Sequence, residues 1–222
     1  MKIAGCDLSI SSSGVVIEDV DDQFNVRSVN YFGFTGKKKL AADNILYYNN
    51  KEFNTDYEKY AWMIDHILEW CKDCEYIAVE DYAMHAGAMG MIFNLAEFEG
   101  FVKQSLFRQG KKIRLYSING IKKFFSGYGL SDKIGMRDAF DKQTGMKPDL
   151  STLPEVNNGH GVSPTSDIID AFAICEFLRT ELKLRFNVIT QTDLPKHQGE
   201  ALYVITKDTP DGYVNKNFIH KQ

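Results

Sequence analysis

The chain has 222 residues, of which 44% are hydrophobic and 25% charged, and its formal net charge is -4. This length predicts one sizeable core rather than clearly two domains. The acidic balance counts mildly against a nucleic-acid partner but leaves room for a local basic face. Met1 and Lys2 lead directly into a strand, unlike a signal peptide, and no apolar run approaches the about 20 residues of a membrane span, so we expect a cytoplasmic protein.

The N-terminal part predicts three strands. "KIAGCDLSI" and "GVVIED" are typical of two strands around a serine-rich turn, where Gly14 lets the chain reverse at low steric cost. "VRSVNYFGF", at 26–34, alternates well enough for a third strand. The lysines and asparagines that follow, up to residue 54, indicate loop or irregular structure.

Helices and strands alternate from residue 55 onward. Short apolar runs predict two further strands, at 75–83 and 113–118. Apolar residues at helical spacing predict the helices, which are 55–74, 87–112, two short ones within 119–145, and 167–186. This order predicts an α/β fold with a mixed sheet over residues 1–186. Residues 187–222 form a C-terminal extension, in which Thr-Pro-Asp-Gly predicts a β-hairpin.

Four acids stand where apolar residues should dominate. Asp7 lies inside the first strand, Glu80 ends "YIAVE", and Asp167 and Asp170 share one face at the start of the last core helix. If they converge, two such charges about 4 Å apart repel by about 4 kcal/mol at an intermediate dielectric, so protons or divalent cations must neutralise them. Ligands that are all oxygen favour Mg²⁺ or Mn²⁺ over zinc.

These acids lie in motifs that resemble those of the RuvC-type Holliday-junction resolvases, within the ribonuclease H-like superfamily. "GCDLSISSSGVVI", "IAVEDY" and "SPTSDIIDAFAIC" occur in the family's order and span roughly residues 1–182. The resemblance implies a five-stranded mixed sheet flanked by helices, with Asp7, Glu80, Asp167 and Asp170 as catalytic and metal-binding residues. The chain departs from the family at Ala83, where an aromatic wedge is common, which suits a phage-encoded or otherwise divergent member acting in the host cytoplasm.

The activity that the resemblance implies is symmetric, magnesium-dependent nicking of four-way or other branched DNA. Two ions about 3.5–4 Å apart would stabilise the attacking and leaving oxygens, with Mn²⁺ able to substitute. In this scheme Asp7 bridges both ions, Glu80 and Asp170 complete one shell, and Asp167 completes the other. Because a four-way junction has two-fold symmetry, a homodimer is expected. Its candidate interface is the helix from Gly87 to Phe107, which is rich in small and apolar residues.

Candidate DNA-binding residues come from two sources. The resemblance implies backbone contacts by Lys122 and Lys133, which flank the glycine-rich turn, and the place of Ser13 beside Gly14 indicates a phosphate contact. Basic runs add Lys37, Lys38, Lys39, Lys111, Lys112 and Arg114 as phosphate contacts. Exposed lysines are often simply solvated, and this alternative stays open. Ser11 and Ser12 are interpreted as turn formers.

Other readings of the sequence remain open. An actin-like ATPase shares the Asp-Ser-Gly element, but it needs a second phosphate motif and usually a longer chain. Another ribonuclease H-like nuclease, acting on flaps or RNA–DNA hybrids, or a non-catalytic junction-binding scaffold would carry the same motifs. Cys71 and Cys74 are interpreted as thiols at a helix end, because structural zinc needs four ligands. A role for His160 is left open, since a lone loop histidine usually has none.

Overall fold

The computed structural model describes residues 1–81, 89–154 and 162–206, with the backbone alone for 89–91 and 205–206. Its centre is a six-stranded sheet in the order β4-β3-β2-β1-β5-β6. The strands are β1 (Lys2–Asp7), β2 (Gly14–Val20), β3 (Val26–Thr35), β4 (Ile45–Tyr47), β5 (Cys74–Glu80) and β6 (Lys112–Tyr116). β2 pairs antiparallel with β1 and β3, and the other neighbours are parallel. The mixed sheet is confirmed, with β4 as a sixth strand where loop was predicted.

Six α-helices accompany this sheet in the described residues. They are α1 (Asp56–Trp70), α2 (Met89–Arg108), α3 (Ile118–Ser126), α4 (Lys133–Lys142), α5 (Thr165–Arg185) and α6 (Lys196–Thr206). Thr55 caps α1, since its side chain accepts from the backbone N–H of Glu58. Gly127, at a φ of 85°, ends α3 in the left-handed region that glycine tolerates best. The predicted helices up to residue 186 are therefore all present, within a few residues at each end.

The two faces of the sheet carry separate cores. Ile3, Val16 and Ala78 face α5, together with the buried side of α3 and α4. Their neighbours in sequence, such as Ala4 and Val15, face α1 and α2, where Met63 and Phe98 are buried. This division follows from the period of two along a strand. The same alternation decides on which face of the sheet an acid at the end of a strand lies.

Helix α5 lies unusually close to the sheet. A Cβ on Gly5 would stand 2.3 Å from Ala171 O, and one on Gly14 would stand 2.4 Å from Asp167 O. Real side chains do not tolerate such distances to backbone atoms, so both positions require glycine. The two glycines therefore set how near the start of α5 comes to the ends of β1 and β2.

The C-terminal extension differs from the prediction. Residues 196–206, which include the first arm of the predicted hairpin, form helix α6 instead. Ala201 and Leu202 are buried against the core that includes α3, and Glu200 forms an ion pair with Lys123 at 2.7 Å. The hairpin is thus wrong over this segment, and its remaining residues lie outside the described part of the chain. The boundary at residue 186 stays a prediction. Among the described helices, none combines the length and the apolar character of a membrane-spanning segment.

Candidate active site

Two neighbouring parallel strands bring Asp7 and Glu80 together. Cys6 pairs with Val79, so Asp7 and Glu80 follow at the same level at the carboxyl ends of β1 and β5. Asp7 lies on the face of Ile3 and Glu80 on the face of Ala78, which is the face that α5 covers. Both side chains are half-buried. A carboxylate at the end of an apolar strand is thus explained by its position at the sheet edge.

Helix α5 adds the other two acids to the same edge. Asp167 is in its first turn and Asp170 follows one turn later. Ser12 Oγ donates to Asp167 Oδ2 at 2.6 Å, and Ser166 Oγ lies 3.2 Å from Asp167 Oδ1. The turn between β1 and β2 therefore holds Asp167 in place, while Asp170 is half-buried and paired with Lys133.

A cavity of about 220 Å³ lies at this edge of the sheet and is lined by charged groups. Three carboxylates, one each from β1, β5 and α5, line it together with two lysines from α3 and α4; these are Asp7, Glu80, Asp170, Lys122 and Lys133. Its apolar wall consists of Ile118, Ile121, Met136 and Ile174. Asp167 is absent from the residues that line this cavity. The structure thus unites three of the four predicted acids, and it places the fourth beside them.

The acids of the cavity interact through their charges. Burial raises the pKa of Asp7 well above its ordinary value, and repulsion from Asp170, Asp167 and Glu80 raises it further, while Lys133 opposes the rise. Burial, followed by repulsion from Asp170, raises the pKa of Glu80 to about 7. Burial also raises the pKa of Asp167, against the hydrogen bonds from Ser12 and Ser163. The lysines therefore leave part of this negative charge uncompensated.

This donor set fits a hard divalent cation. All the ligating atoms are carboxylate oxygens, and their mutual repulsion is the kind of strain that Mg²⁺ or Mn²⁺ relieves. Among the described residues, no three Asp, Glu, His or Cys side chains already stand at coordinating positions for one ion. The Lys133 ammonium instead lies against Asp170 and supplies positive charge there. Burial opposes it, but the Asp170 and Asp7 carboxylates raise the pKa of Lys133.

The basic run at Lys37, Lys38 and Lys39 lies at the same edge of the sheet. Gly33 pairs with Gly14, and Gly14 pairs with Asp7, so β3 ends beside the carboxylates. The three lysines follow that end and are exposed. Their placement is what a backbone contact near the cavity would need, and that contact stays a prediction.

The prediction of DNA contact is wrong for two residues because they are fully buried. Arg114 has no exposed surface, and its Nε lies 2.9 Å from Glu181 Oε2 inside the core. Ser13 is likewise buried, and its hydroxyl donates to Ser9 O at 2.8 Å within the turn. Neither side chain is available to a phosphate, and each stabilises the fold instead.

Lys111 and Lys112 lie at the opposite edge of the sheet. Lys112 pairs with Tyr76 at the start of β5, four residues and about 13 Å from the level of Glu80. Lys112 Nζ also forms an ion pair with Glu75 at 2.7 Å, and Lys111 Nζ donates to the backbone of Lys72. The structure therefore separates these two lysines from the cavity.

Sequence reasoning missed the residue of the serine turn that touches an acid. The sequence indicates Ser12 as a turn former and Ser13 as a phosphate contact, whereas in the structure Ser12 contacts Asp167 and Ser13 stabilises the turn. Only the pairing of β2 with β3 and the approach of α5 decide which hydroxyl reaches Asp167, so no local signal could have found it. Ala83 and His160 lie outside the described residues, and Cys71 and Cys74 are buried free thiols.

Comparison with known proteins identifies the fold. The sequence matches no protein-family model and no curated protein. Among solved structures, RuvC of Thermus thermophilus has a TM-score of 0.52 at 18% identity, over 84% of this chain and 94% of that one. The same protein in complex with a Holliday junction substrate gives 0.52 at 16% identity, over the same shares. The yeast mitochondrial Holliday junction resolvase Ydc2 gives 0.55 at 14% identity, over 82% of this chain and 79% of that one.

The chain therefore has a ribonuclease H-like fold, with an antiparallel β3-β2-β1 unit continued by parallel strands. More closely, this is the fold of the RuvC-type resolvases, as the sequence motifs predicted. The likeness extends over more than four fifths of the chain.

Proposed function

We propose that this protein is a magnesium-dependent endodeoxyribonuclease that nicks four-way DNA junctions. The observation that carries the proposal is the cavity at the sheet edge, where three separate elements contribute Asp7, Glu80 and Asp170 beside Lys122 and Lys133. The chain shares its fold with resolvases, one of which was solved with a Holliday junction substrate. Fold alone does not assign an activity. The carboxylate cluster supplies the chemistry that the fold leaves open.

Each residue of the cavity has a defined task in this proposal. Asp7, Glu80 and Asp170 would hold the cation, with Asp167 positioned beside them by Ser12. Magnesium, when bound, supplies the charge that activates water and neutralises the leaving oxygen. Lys122 and Lys133 hold the phosphate of the scissile strand, and Lys37, Lys38 and Lys39 bind the backbone further along the same edge. The apolar wall limits the water that reaches the cavity.

A two-fold symmetric junction requires two such sites, which a homodimer supplies. On α2, Phe98 is buried in the core, whereas Phe93 is exposed. Phe101 is partly exposed and lies next to Tyr57, with 6.4 Å between the two ring centroids. Tyr57 OH donates to Glu97 Oε1 at 2.9 Å, which fixes its ring on this surface. We name Tyr57, Phe93 and Phe101 the α1–α2 surface. Exposed aromatic rings on two neighbouring helices favour contact with a second copy.

A panel of substrates tests the proposed function. The purified protein is incubated with a synthetic four-way junction, a flap, an RNA–DNA hybrid and linear duplex, each with and without Mg²⁺, and the products are mapped on sequencing gels. We expect nicks in the junction that are paired across its two-fold axis and require Mg²⁺. The flap and the hybrid should be cut far more slowly, and the linear duplex should remain intact.

Two outcomes of this panel would overturn the proposal. Preferred cleavage of the flap or the hybrid would assign the cavity to another ribonuclease H-like nuclease. Tight binding of the junction without cleavage at any Mg²⁺ or Mn²⁺ concentration would instead assign the chain to junction-binding scaffolds. A separate ATPase assay tests the remaining alternative: ATP hydrolysis without junction binding would favour an actin-like ATPase.

A further inference from the structure

The turn between α3 and α4 carries an exposed aromatic side chain, and both helices contribute a lysine to the cavity. We name residues 127–132 the α3–α4 turn. Tyr128 is 62% exposed and Leu130 is 68% exposed, although both are large and apolar. The flanking helices supply Lys122 and Lys133, and both lysines line the carboxylate cavity. An aromatic ring thus stands in solvent between the two lysines assigned to the scissile strand.

The backbone of this turn is held firmly. Ser126 Oγ lies 2.8 Å from Lys122 O and 2.6 Å from Ser131 Oγ, and it also accepts from the backbone N–H of Tyr128 at 3.3 Å. The N–H of Ser131 donates to Tyr128 O at 3.1 Å. A Cβ on Gly129 would stand 3.2 Å from Asn119 O, so the turn also packs against α3. The position of Tyr128 is therefore fixed by its main chain, while its ring remains available.

Chain connectivity limits how far the ring can lie from the lysines of the cavity. Tyr128 is five residues from Lys133, so their Cα atoms lie at most about 18 Å apart. Successive phosphates of one strand rise by about 3.4 Å in duplex DNA, so this span corresponds to a few nucleotides. Tyr57, by contrast, is hydrogen-bonded to Glu97 and belongs to the α1–α2 surface. Among the exposed rings of the described residues, Tyr128 is the one on the turn that joins the two lysine-bearing helices of the cavity.

We propose that Tyr128 stacks on a nucleobase that is unstacked at the branch point of the junction, beside the strand held at the carboxylates. Every base presents a π-face, so such a contact selects an unstacked base without reading its identity. In regular duplex the base faces are covered by their neighbours, and the ring has no partner there. Tyr128 would then favour branched over linear DNA. This inference rests on the proposed function, and the stacking would position the branch point of the junction at the carboxylate cavity.

The test measures stacking and affinity separately. Junctions carrying 2-aminopurine at each position around the branch point are titrated with Asp7→Asn protein, which prevents cleavage during the measurement. We expect quenched fluorescence at one position, and loss of that quenching in Asp7→Asn/Tyr128→Ala. Junction affinity should fall by about 5- to 150-fold, the range found when a stacking aromatic is replaced by alanine. Affinity for linear duplex should stay unchanged.

Matched variants keep the test specific to stacking. Tyr128→Trp should retain the quenching and the affinity, because the larger ring also stacks. Tyr203→Ala removes another exposed tyrosine, on α6, and should change neither quantity. Thermal unfolding of Tyr128→Ala should match the parent protein, since the ring is largely exposed and its main chain carries the turn.

The possible results separate this inference from the proposed function. If Tyr128→Ala keeps both the quenching and the affinity within twofold while the wild type nicks junctions, only the stacking role is overturned. Equal losses with Tyr203→Ala would overturn it as well. A wild type that neither binds nor nicks the junction would overturn the proposed function and the stacking role together.

Discussion

Charge at the cavity is balanced only in part by lysine. Three carboxylates and two lysines line it, and Asp167 adds further negative charge nearby. Burial makes this imbalance expensive, because a low dielectric strengthens repulsion between like charges. The consequence is that the folded state is stabilised by any cation that enters, whether the Lys133 ammonium or a divalent ion.

Replacement of Lys133 tests this balance. Lys133→Met removes the ion pair with Asp170 and should lower the free energy of unfolding by about 1–2 kcal/mol in Mg²⁺-free buffer, since the pair is only half-buried. Millimolar Mg²⁺ should reduce the deficit, because the variant lacks the competing Lys133 ammonium and so binds the ion more tightly in its folded state. Urea unfolding with and without Mg²⁺ measures both effects. Lys142→Met, on the exposed side of the same helix, is the control and should change stability little. A deficit that Mg²⁺ leaves unchanged would contradict the account.

Glu18 is a buried acid far from the cavity, and its titration makes the free energy of unfolding depend on pH. Glu18 lies within 2.9 Å of Arg179 Nε, and it has no exposed surface. Burial, followed by repulsion from Glu176 and against the attraction of Arg179, raises the pKa of Glu18 to about 8, from an ordinary 4.5. The folded state therefore holds this proton more tightly than the unfolded chain. Stability should fall as pH rises from about 4.5 to about 8.

Glu18→Gln removes this titration. Because glutamine stays neutral, the variant should gain stability relative to the wild type between pH 5.5 and pH 8.5, by about 1 kcal/mol or more. Urea unfolding at the two pH values measures the change. Glu200→Gln, at an exposed acid, should follow the wild type. Parallel pH profiles for wild type and Glu18→Gln would contradict the assignment.

At the level of single residues, the sequence predicted the acids better than the bases. An acid inside or at the end of an apolar strand is conspicuous, and Asp7 and Glu80 were found for that reason. Arg114 lies in a basic run, yet alternation along β6 turns its side chain towards the face of α5, where Glu181 lies fully buried. Long-range pairing of this kind leaves no local signal. The same holds for the contact between Ser12 and Asp167.

At the scale of elements, the approach of α5 to β1 positions Asp170 relative to Asp7. A Cβ on Gly5 would stand 2.3 Å from Ala171 O and 2.4 Å from Cys175 N, and neither backbone atom moves unless the helix moves. Gly5→Ala should therefore lower the free energy of unfolding by about 1–3 kcal/mol, as overpacking does. It should also lower junction nicking more than junction binding, since the helix that carries Asp170 is displaced.

Gly145→Ala is the matched control for this prediction. Nothing lies within 4 Å of a Cβ built at Gly145, so alanine there should not destabilise the fold. Chemical unfolding and single-turnover nicking, measured on both variants, separate a local clash from a general effect of removing glycine. Equal behaviour of the two variants would contradict the role given to the close approach of α5.

Elements with a clear period were predicted, and elements defined by tertiary contact were not. The spacing of apolar residues indicated α1, α3, α4 and α5 within a few residues. The three residues of β4 form a strand only through their pairing with β3. In α6 the segment "LYVI" favours a strand, but Leu202 is buried against the core that includes α3, and this packing overrides the local preference.

At the scale of the whole molecule, the α1–α2 surface decides whether one or two cavities meet a junction. Phe93→Asp places a charge on this exposed surface, so it should reduce dimerisation at micromolar concentration while leaving the monomer folded. Light scattering after gel filtration measures the mass. Nicks should then lose their pairing across the junction, because the two sites no longer arrive together. Tyr203→Asp, on α6, should keep both the mass and the pairing. Wild type that is monomeric in the presence of junction DNA would contradict the proposed dimer.

The role of the carboxylate cluster is decided by cleavage of a synthetic four-way junction by wild type and Asp7→Asn, in Mg²⁺ and at saturating protein. Asn keeps the shape of the side chain but removes the negative charge that β1 contributes to the carboxylate cluster. We predict that Asp7→Asn binds the junction as tightly as the wild type and nicks it at least about a hundredfold more slowly. Nicking by Asp7→Asn at a rate close to that of the wild type would contradict the account.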